Sequence, residues 1–374
     1  MRPSLPPIRT IDEDPAEYLA FLEELEHAAE LLLAGRMANE RMALVIVDSL
    51  AERLLYQHAN RCFHASEARI ALLTDPFPAT RRKDILKDFG GKVQLALADE
   101  KFFVFVDPML DELDAEIFRV AHRYRNASYH RGEHNVALTG PIGRLYAQAV
   151  GRAFTRSTRH SFSSLSPDAV EELGRFHEGD GADKEWSSPR SATGPITEAI
   201  TDPLTVNVKD LAGQLFAEAQ RRLSAIDETM EWLRRDFDDE RIGDLIEAAQ
   251  HWAQHRGDEG LHRLAQEEHA LTNAASEEDE PSDELKQAML RNTLAQYQRM
   301  EKLKMRSQIR VDLDSLEMLR RRASRLRDKA VIAPLLHSYR EFDELLELLE
   351  TALQWVERSW DQEVQQAIDE ARGK

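Results

Sequence analysis

The chain is expected to be all-α, and three observations carry that expectation. Apolar residues recur at three- and four-residue steps along most of its 374 residues, the spacing of a buried helical face. Charged residues make up 31% and aromatic residues 7%, a balance suited to long helices with one side in solvent. Only 16 glycines and 14 prolines interrupt the pattern. The length suffices for two domains of ordinary size.

From Asp14 to Gly35, Tyr18, Leu22, Leu25, Ala29, Leu32 and Leu33 outline one buried face and predict a first helix. A second is predicted over about 39–60, with Leu44, Val47, Leu50, Leu54 and Leu55 inward, Arg41, Glu52 and Arg53 outward, and Asn39 as its N-cap. Two prolines make 74–84 a connection. The helix expected from about Arg82 meets Gly90 and Gly91, whose cost in a helix interior predicts a break or bend. The run FFVFV at 102–106 reads as a short strand or a buried loop, stopped by Asp107 and Pro108. Leu110, Leu113, Ile117, Val120 and Tyr124 then keep helical spacing into RYRNASYHRGEHN, Arg123 to Asn135. TGPIG at 139–143 looks like a turn, followed by a helix through Leu145, Tyr146, Ala149, Val150 and Phe154.

Glycine, serine, proline and acidic residues crowd the stretch from His177 to Pro203, which predicts a linker or mobile loop. The expected organisation is a first domain over 1–165, a linker over 166–205 and a C-terminal helical domain over 206–374. That second half reads as helices over 208–237 and 241–270, a polar break at 273–283, and a helical piece from Glu284 onward. LEMLRRRASRLRDK followed by LLELLETALQWVERSW resembles a long helical hairpin turning near Ala333 and Pro334.

The longest apolar runs, ALVIV and FFVFV, are far shorter than the roughly 20 residues that span a bilayer, so no membrane association is expected. MRPSLPPIRTIDEDP places prolines where a secretion signal would be apolar, and the single Cys62 forms no internal disulfide. A cytoplasmic location follows as an expectation. No Gly-rich phosphate loop, Ser-His-Asp arrangement or CxxC pair is present, and no cofactor is expected. His251, His255, His262 and His269 are spaced to share a helical face, but Gly257 and Gly260 interrupt it and the HExxH pattern is missing, so packing is the expected role and no metal site is assigned.

Net charge is −19, yet its distribution is uneven. Between Arg119 and His160 there are eight arginines (119, 123, 125, 131, 144, 152, 156, 159) against Glu133, a local balance of +7. A second run of arginines, Leu319 to Lys329, is expected to pair with the acidic segment Ser276 to Glu284 or to guide RNA.

The basic island contains Arg125, Asn126 and His130. Five Arg and His pairs in the chain have four to six residues between them, and context singles this one out: Asn126 directly after Arg125, Tyr129 and Gly132 around His130, and an intact apolar helix face before it. Cleaving RNA without a metal needs a group to take the 2′-OH proton, one to protonate the leaving 5′ oxygen, and positive charge on the phosphorane-like transition state. A histidine with a pKa near ~6.5 suits the proton transfers, and the planar fork of arginine suits the phosphate. On an unbroken helix Arg125 and His130 lie about 140° apart, whereas Arg119, Arg123, Asn126 and His130 form one stripe. Three arrangements are open: a helix break near Ser128 brings Arg125 back, Arg123 takes the phosphate role, or a second chain completes the site.

Over about residues 10–160, the helix ANERMALVIVDSLAERLLYQHA and the motif RNASYHRG resemble the HEPN (higher eukaryote and prokaryote nucleotide-binding) family of helical domains. The resemblance implies an N-terminal HEPN-like bundle and a metal-independent endoribonuclease leaving 2′,3′-cyclic phosphate and 5′-OH ends. It implies Arg125, Asn126 and His130 as catalytic residues, with Arg123, Tyr129, Arg131 and Arg119 as second-tier contacts to an RNA substrate. It further implies a homodimer through this domain, a bacterial toxin or antiphage effector, and an antitoxin or regulatory protein at the C-terminal half. Gly132 stands where some HEPN toxins carry a modifiable Tyr, so control by that route is not expected. The competing expectation is a non-catalytic scaffold for dimerisation, RNA binding or protein interaction.

Overall fold

A computed structural model describes residues 15–69, 79–97, 108–130, 135–158, 189–235, 237–254, 291 and 312–371. The described residues form eleven α-helices and no strand, so the chain is all-α. None of these helices is long and apolar enough to cross a membrane. The helices divide into two compact units, Met1–Leu215 with Leu326–Arg340, and Phe216–Arg325 with Glu341–Lys374. The run at 102–106, the acidic segment at 276–284 and the side chains of His251, His255, His262 and His269 lie outside the described residues.

The first unit begins with α1 (Pro15–Leu33) and α2 (Met37–Arg69), joined through Gly35. Gly35 has φ +63°, a left-handed conformation that a side chain disfavours and that lets the chain reverse between two helices. Asn39 lies inside α2 and is not its cap. Helices α3 (Ala79–Lys87) and α4 (Phe89–Leu97) meet at the expected break. Asp88 makes it, its carboxylate accepting from the N–H groups of Gly90 at 3.2 Å and Gly91 at 2.7 Å and so capping α4.

Next come α5 (Glu112–His130) and α6 (Val136–Ser157). Asn135 caps α6 by accepting from Ala137 N–H at 3.0 Å, and the helix runs straight through Thr139–Gly143. The expected turn there is not found, because these glycines serve close packing. A Cβ on Gly143 would stand 2.7 Å from Cδ2 of the fully buried Leu32, and one on Gly140 would collide with Glu40. With α6 pressed this close, Phe154 stacks on Phe21 at 4.1 Å and sits 5.5 Å from Tyr18. These rings, with Leu22, Leu25, Leu50, Leu54 and Phe118, fill the core.

Part of the expected linker is helical: α7 (Pro189–Thr201) packs on α6 and α1. Its threonines bury a face without cost in unmet hydrogen bonds, since Thr197 and Thr201 donate back to the carbonyls of Thr193 and Thr197. Tyr18 meets Thr193 at 2.9 Å and Thr155 meets Thr197 at 2.8 Å. The division between units falls later, within α8 (Val208–Leu233).

In the second unit, α9 (Asp239–Gln254), α10 (Asp314–Ser324) and most of α11 (Ile332–Ala371) join the C-terminal part of α8. Arg222 of α8 is buried between Glu350 and Asp343 of α11. A 3-10 turn, Arg325–Asp328, follows α10, so the expected turn at Ala333 and Pro334 comes earlier. Pro334 sits in the first turn of α11, where its missing N–H costs nothing. Of the basic run, Arg320 pairs with Asp227 at 2.5 Å, Arg321 with Glu317 at 3.1 Å and Arg322 with Glu341 at 3.4 Å.

His58 on α2 carries a consequence for acid stability. Burial, aided by Arg61, pushes its pKa down to about 3. Below the unfolded value of ~6.5 the unfolded chain binds a proton that the native chain refuses, so stability is full above that value and falls with pH by about 1.4 kcal/mol per unit. Replacing His58 with Gln should narrow the difference between urea-unfolding free energies at pH 7 and pH 5 by roughly 2 kcal/mol. An unchanged difference would mean that His58 is protonated in the native protein.

Candidate functional site

Helix α5 presents the motif singled out in the sequence. Asp111 opens it by accepting from Asp114 N–H at 2.8 Å, and apolar Ala115, Phe118 and Ala121 bury its inner face. The helix continues unbroken to His130, with Ser128 a buried residue inside it. The reading in which a break near Ser128 returns Arg125 to His130 is therefore overturned: the helix holds to its last residue, and positions 125 and 130 of an unbroken helix lie about 140° apart around its axis. Tyr129 and His130 are described in backbone only, and Arg131 lies outside the described residues.

Arg125 and Asn126 belong to a ring of three polar contacts and one ion pair that the residue spacing did not predict. Arg125 Nη1 donates to Asn126 Oδ1 at 2.9 Å. Asn126 Nδ2 lies 3.1 Å from His122 Nε2, and His122 Nδ1 lies 2.9 Å from Asp48 Oδ1. Arg125 Nε stands 3.3 Å from Asp48 Oδ2, an ion pair without hydrogen-bond geometry that completes the ring. Its polarity has one solution. Arginine only donates and an ionised carboxylate only accepts, so Asn126 must offer its NH2 to His122, and His122 must be neutral with its proton on Nδ1.

Other helices hold the ring. Tyr146 of α6 donates to Asp48 Oδ1 at 2.9 Å, and its own pKa is driven well above the usual value by burial and by Asp48. Phe89 of α4 lies flat on the His122 ring at a centroid distance of 3.7 Å. Asp48, buried within the apolar face of α2, thus receives hydrogen bonds or charge from three side chains. Glu52, one turn further along α2, is 4.0 Å from His122 Nδ1 and half exposed.

No family model, curated protein or solved structure matches this chain. What the site can do is therefore read from its own charges. The basic island is much less positive in space than along the chain. Arg152 and Arg156 both bind the fully buried Asp114, at 2.7 and 2.5 Å, and Arg156 also reaches Asp111 at 2.7 Å. Burial raises the Asp111 carboxyl pKa, but the Asp114 N–H and Arg156 outweigh it and hold the carboxyl below its usual range. Arg119 pairs with Glu116 at 3.1 Å. Glu116 also takes Arg340, at 2.8 Å. Burial opposes ionisation of Glu116, yet Arg340, His337 and Arg119 keep its pKa lowered. Arg123 is half-buried on the same helix.

Beside the ring, a cleft of about 380 Å³ opens between α2, α5 and the start of α6. Leu44, Val45 and the exposed Met42 give it apolar walls, while Arg41, Arg125 and Ser128 add polar groups. The Ser128 Oγ is buried and has no hydrogen-bond partner among the described residues. His122 and Asp48 did leave traces in the sequence: an acid among the inward residues of α2, and a histidine four residues before Asn126.

Removing the ring's central charge should be costly, because it strands Arg125 and places an amide donor against His122. Asp48→Asn is expected to lower unfolding stability by about 3 kcal/mol, read from urea denaturation, and Tyr146→Phe by about 2 kcal/mol. Losses under about 0.5 kcal/mol for both would place them among neutral surface changes and deny the ring a structural role.

Proposed function

We propose that this chain is a metal-independent endoribonuclease of HEPN type, cutting RNA to 2′,3′-cyclic phosphate and 5′-OH ends. The observation that carries the reading is the Arg125–Asn126 contact of 2.9 Å on the wall of the cleft: a phosphate-binding cation held by a polar neighbour, on the helix that leads to His130. His130 serves as general acid or base, Arg125 stabilises the transition-state charge and Asn126 orients it. Arg123, Arg119, Tyr129 and Arg131 are further RNA contacts.

Because α5 is unbroken, positions 125 and 130 of one chain lie about 140° apart around the helix axis. The reading therefore takes the active form as a homodimer in which Arg125 and Asn126 of one chain meet His130 of the other. A bacterial toxin or antiphage effector fits this activity, with the C-terminal half available to an antitoxin or regulator. The second reading, a non-catalytic scaffold, draws on the pairing of Arg119, Arg125, Arg152 and Arg156 with carboxylates.

End-labelled RNA incubated with the protein in excess chelator separates the two. The ribonuclease reading expects cutting with cyclic-phosphate ends and a loss of roughly 100-fold or more for Arg125→Ala or His130→Ala. Mixing those two variants should restore cutting, since one of the two composite sites is then intact. Cutting by His130→Ala at the full rate would remove the mechanism, and absence of cutting by the unaltered protein would favour the scaffold.

A further inference from the structure

Asp48, Glu52 and His122 bring three ligand atoms within 4.8 Å of one another. We propose that these three residues bind one divalent cation of the zinc class, and that its binding releases Arg125 from Asn126. The donor set suits such an ion, which takes imidazole nitrogen and carboxylate oxygen at about 2.0–2.2 Å. Ligands around one ion at that distance stand roughly 3.2–3.6 Å apart. His122 Nδ1 is 2.9 Å from Asp48 Oδ1 and 4.0 Å from a Glu52 oxygen. The first separation needs to open slightly and the second to close, and Glu52, half exposed, is free to rotate inward.

The surroundings are those of a supported site. Ligand residues in metal centres are held by outer hydrogen bonds, and here Tyr146 grips Asp48 Oδ1 while Arg125 faces the opposite oxygen. Phe89 fixes the plane of the His122 ring. Two carboxylates against the charge of Arg125 leave the pocket negative, which favours a dication. Solvent reaches the Glu52 side, where a water can take the remaining position.

The coupling follows from hydrogen-bond polarity. A cation needs the lone pair of His122 Nδ1, so the ring's proton leaves that atom and the neutral imidazole carries one on Nε2 instead. An N–H then faces Asn126 Nδ2, two donors in opposition across the present 3.1 Å. The amide must turn to offer its oxygen, which swings its NH2 group towards Arg125 Nη1, again donor against donor. The Arg125–Asn126 contact is lost while Arg125 keeps Asp48 Oδ2. That the ion thereby slows RNA cutting rests on the ribonuclease reading; that it binds does not.

The test is calorimetric titration of zinc chloride into the chelator-treated full-length protein, repeated with Glu52→Gln and His122→Asn. One saturable site is expected, weakened at least about ten-fold in each variant. Nitrogen NMR of histidine-labelled protein should show His122 passing from an Nδ1–H to an Nε2–H ring as zinc is added. No saturable binding overturns the site, and binding equal in Glu52→Gln overturns it and places the ion on other histidines. A bound ion with the His122 tautomer unchanged overturns the coupling. In the RNA assay, zinc should slow the unaltered protein but not Glu52→Gln, which touches no residue of the cutting site. If no protein cuts RNA, the ribonuclease reading fails and the titration still decides the metal site.

Discussion

Asp48 places a carboxylate inside the apolar face of α2, and a buried charge of this kind is tolerated only when donors surround it. Those donors come from α5 and α6: His122 and Arg125 from one, Tyr146 from the other. The requirement fixes how far α5 is turned about its axis. With His122 and Arg125 directed at α2, Asn126 beside His122 bridges the two, and the stripe that leads four residues on to position 130 is set by the same rotation. The charge in the core and the composition of the candidate site are thus one constraint.

The position of Tyr146 depends in turn on how closely α6 approaches α1 and α2. Gly140 and Gly143 allow that approach, since a methyl group at either would meet Glu40 or Leu32. Further along the same side α6 carries Gly151, where an added Cβ would come within 3.3 Å of Thr201 of α7. Small residues along this side let α6 sit tightly against successive neighbours, and the close packing keeps the tyrosine hydroxyl within 2.9 Å of Asp48.

Periodicity made most helices legible, because burial repeats with the helical turn: the predicted inward residues Leu44, Val47, Leu50, Leu54 and Leu55 are all buried. What periodicity does not encode is contact between distant segments. TGPIG carries turn residues and reads as a turn until Leu32 and Glu40 are seen against it. The polar sequence at 189–201 reads as a linker because a threonine that bonds its own helix backbone looks no different in one dimension. Arg125 and Asn126 were legible as a pair. His122 and Asp48 were not, since 74 residues separate two atoms lying 2.9 Å apart.

The basic island shows the same effect in charge. Counted from Arg119 to His160 it is +7, but Asp48, Asp111, Asp114 and Glu116 stand against four of its arginines. Three of those acids lie just before the counted window, in the first turns of α5, and the fourth arrives from α2. Arg152 and Arg156 are committed to a carboxylate with no contact to water, and stripping a partner from such a charge costs about 3–5 kcal/mol. A phosphate chain does not displace them on those terms, so long-range attraction by this surface is weak and depends little on salt. On the ribonuclease reading, RNA is gripped locally by the few groups around the cleft, and the ring that orients Arg125 then matters more than the sum of charges around it.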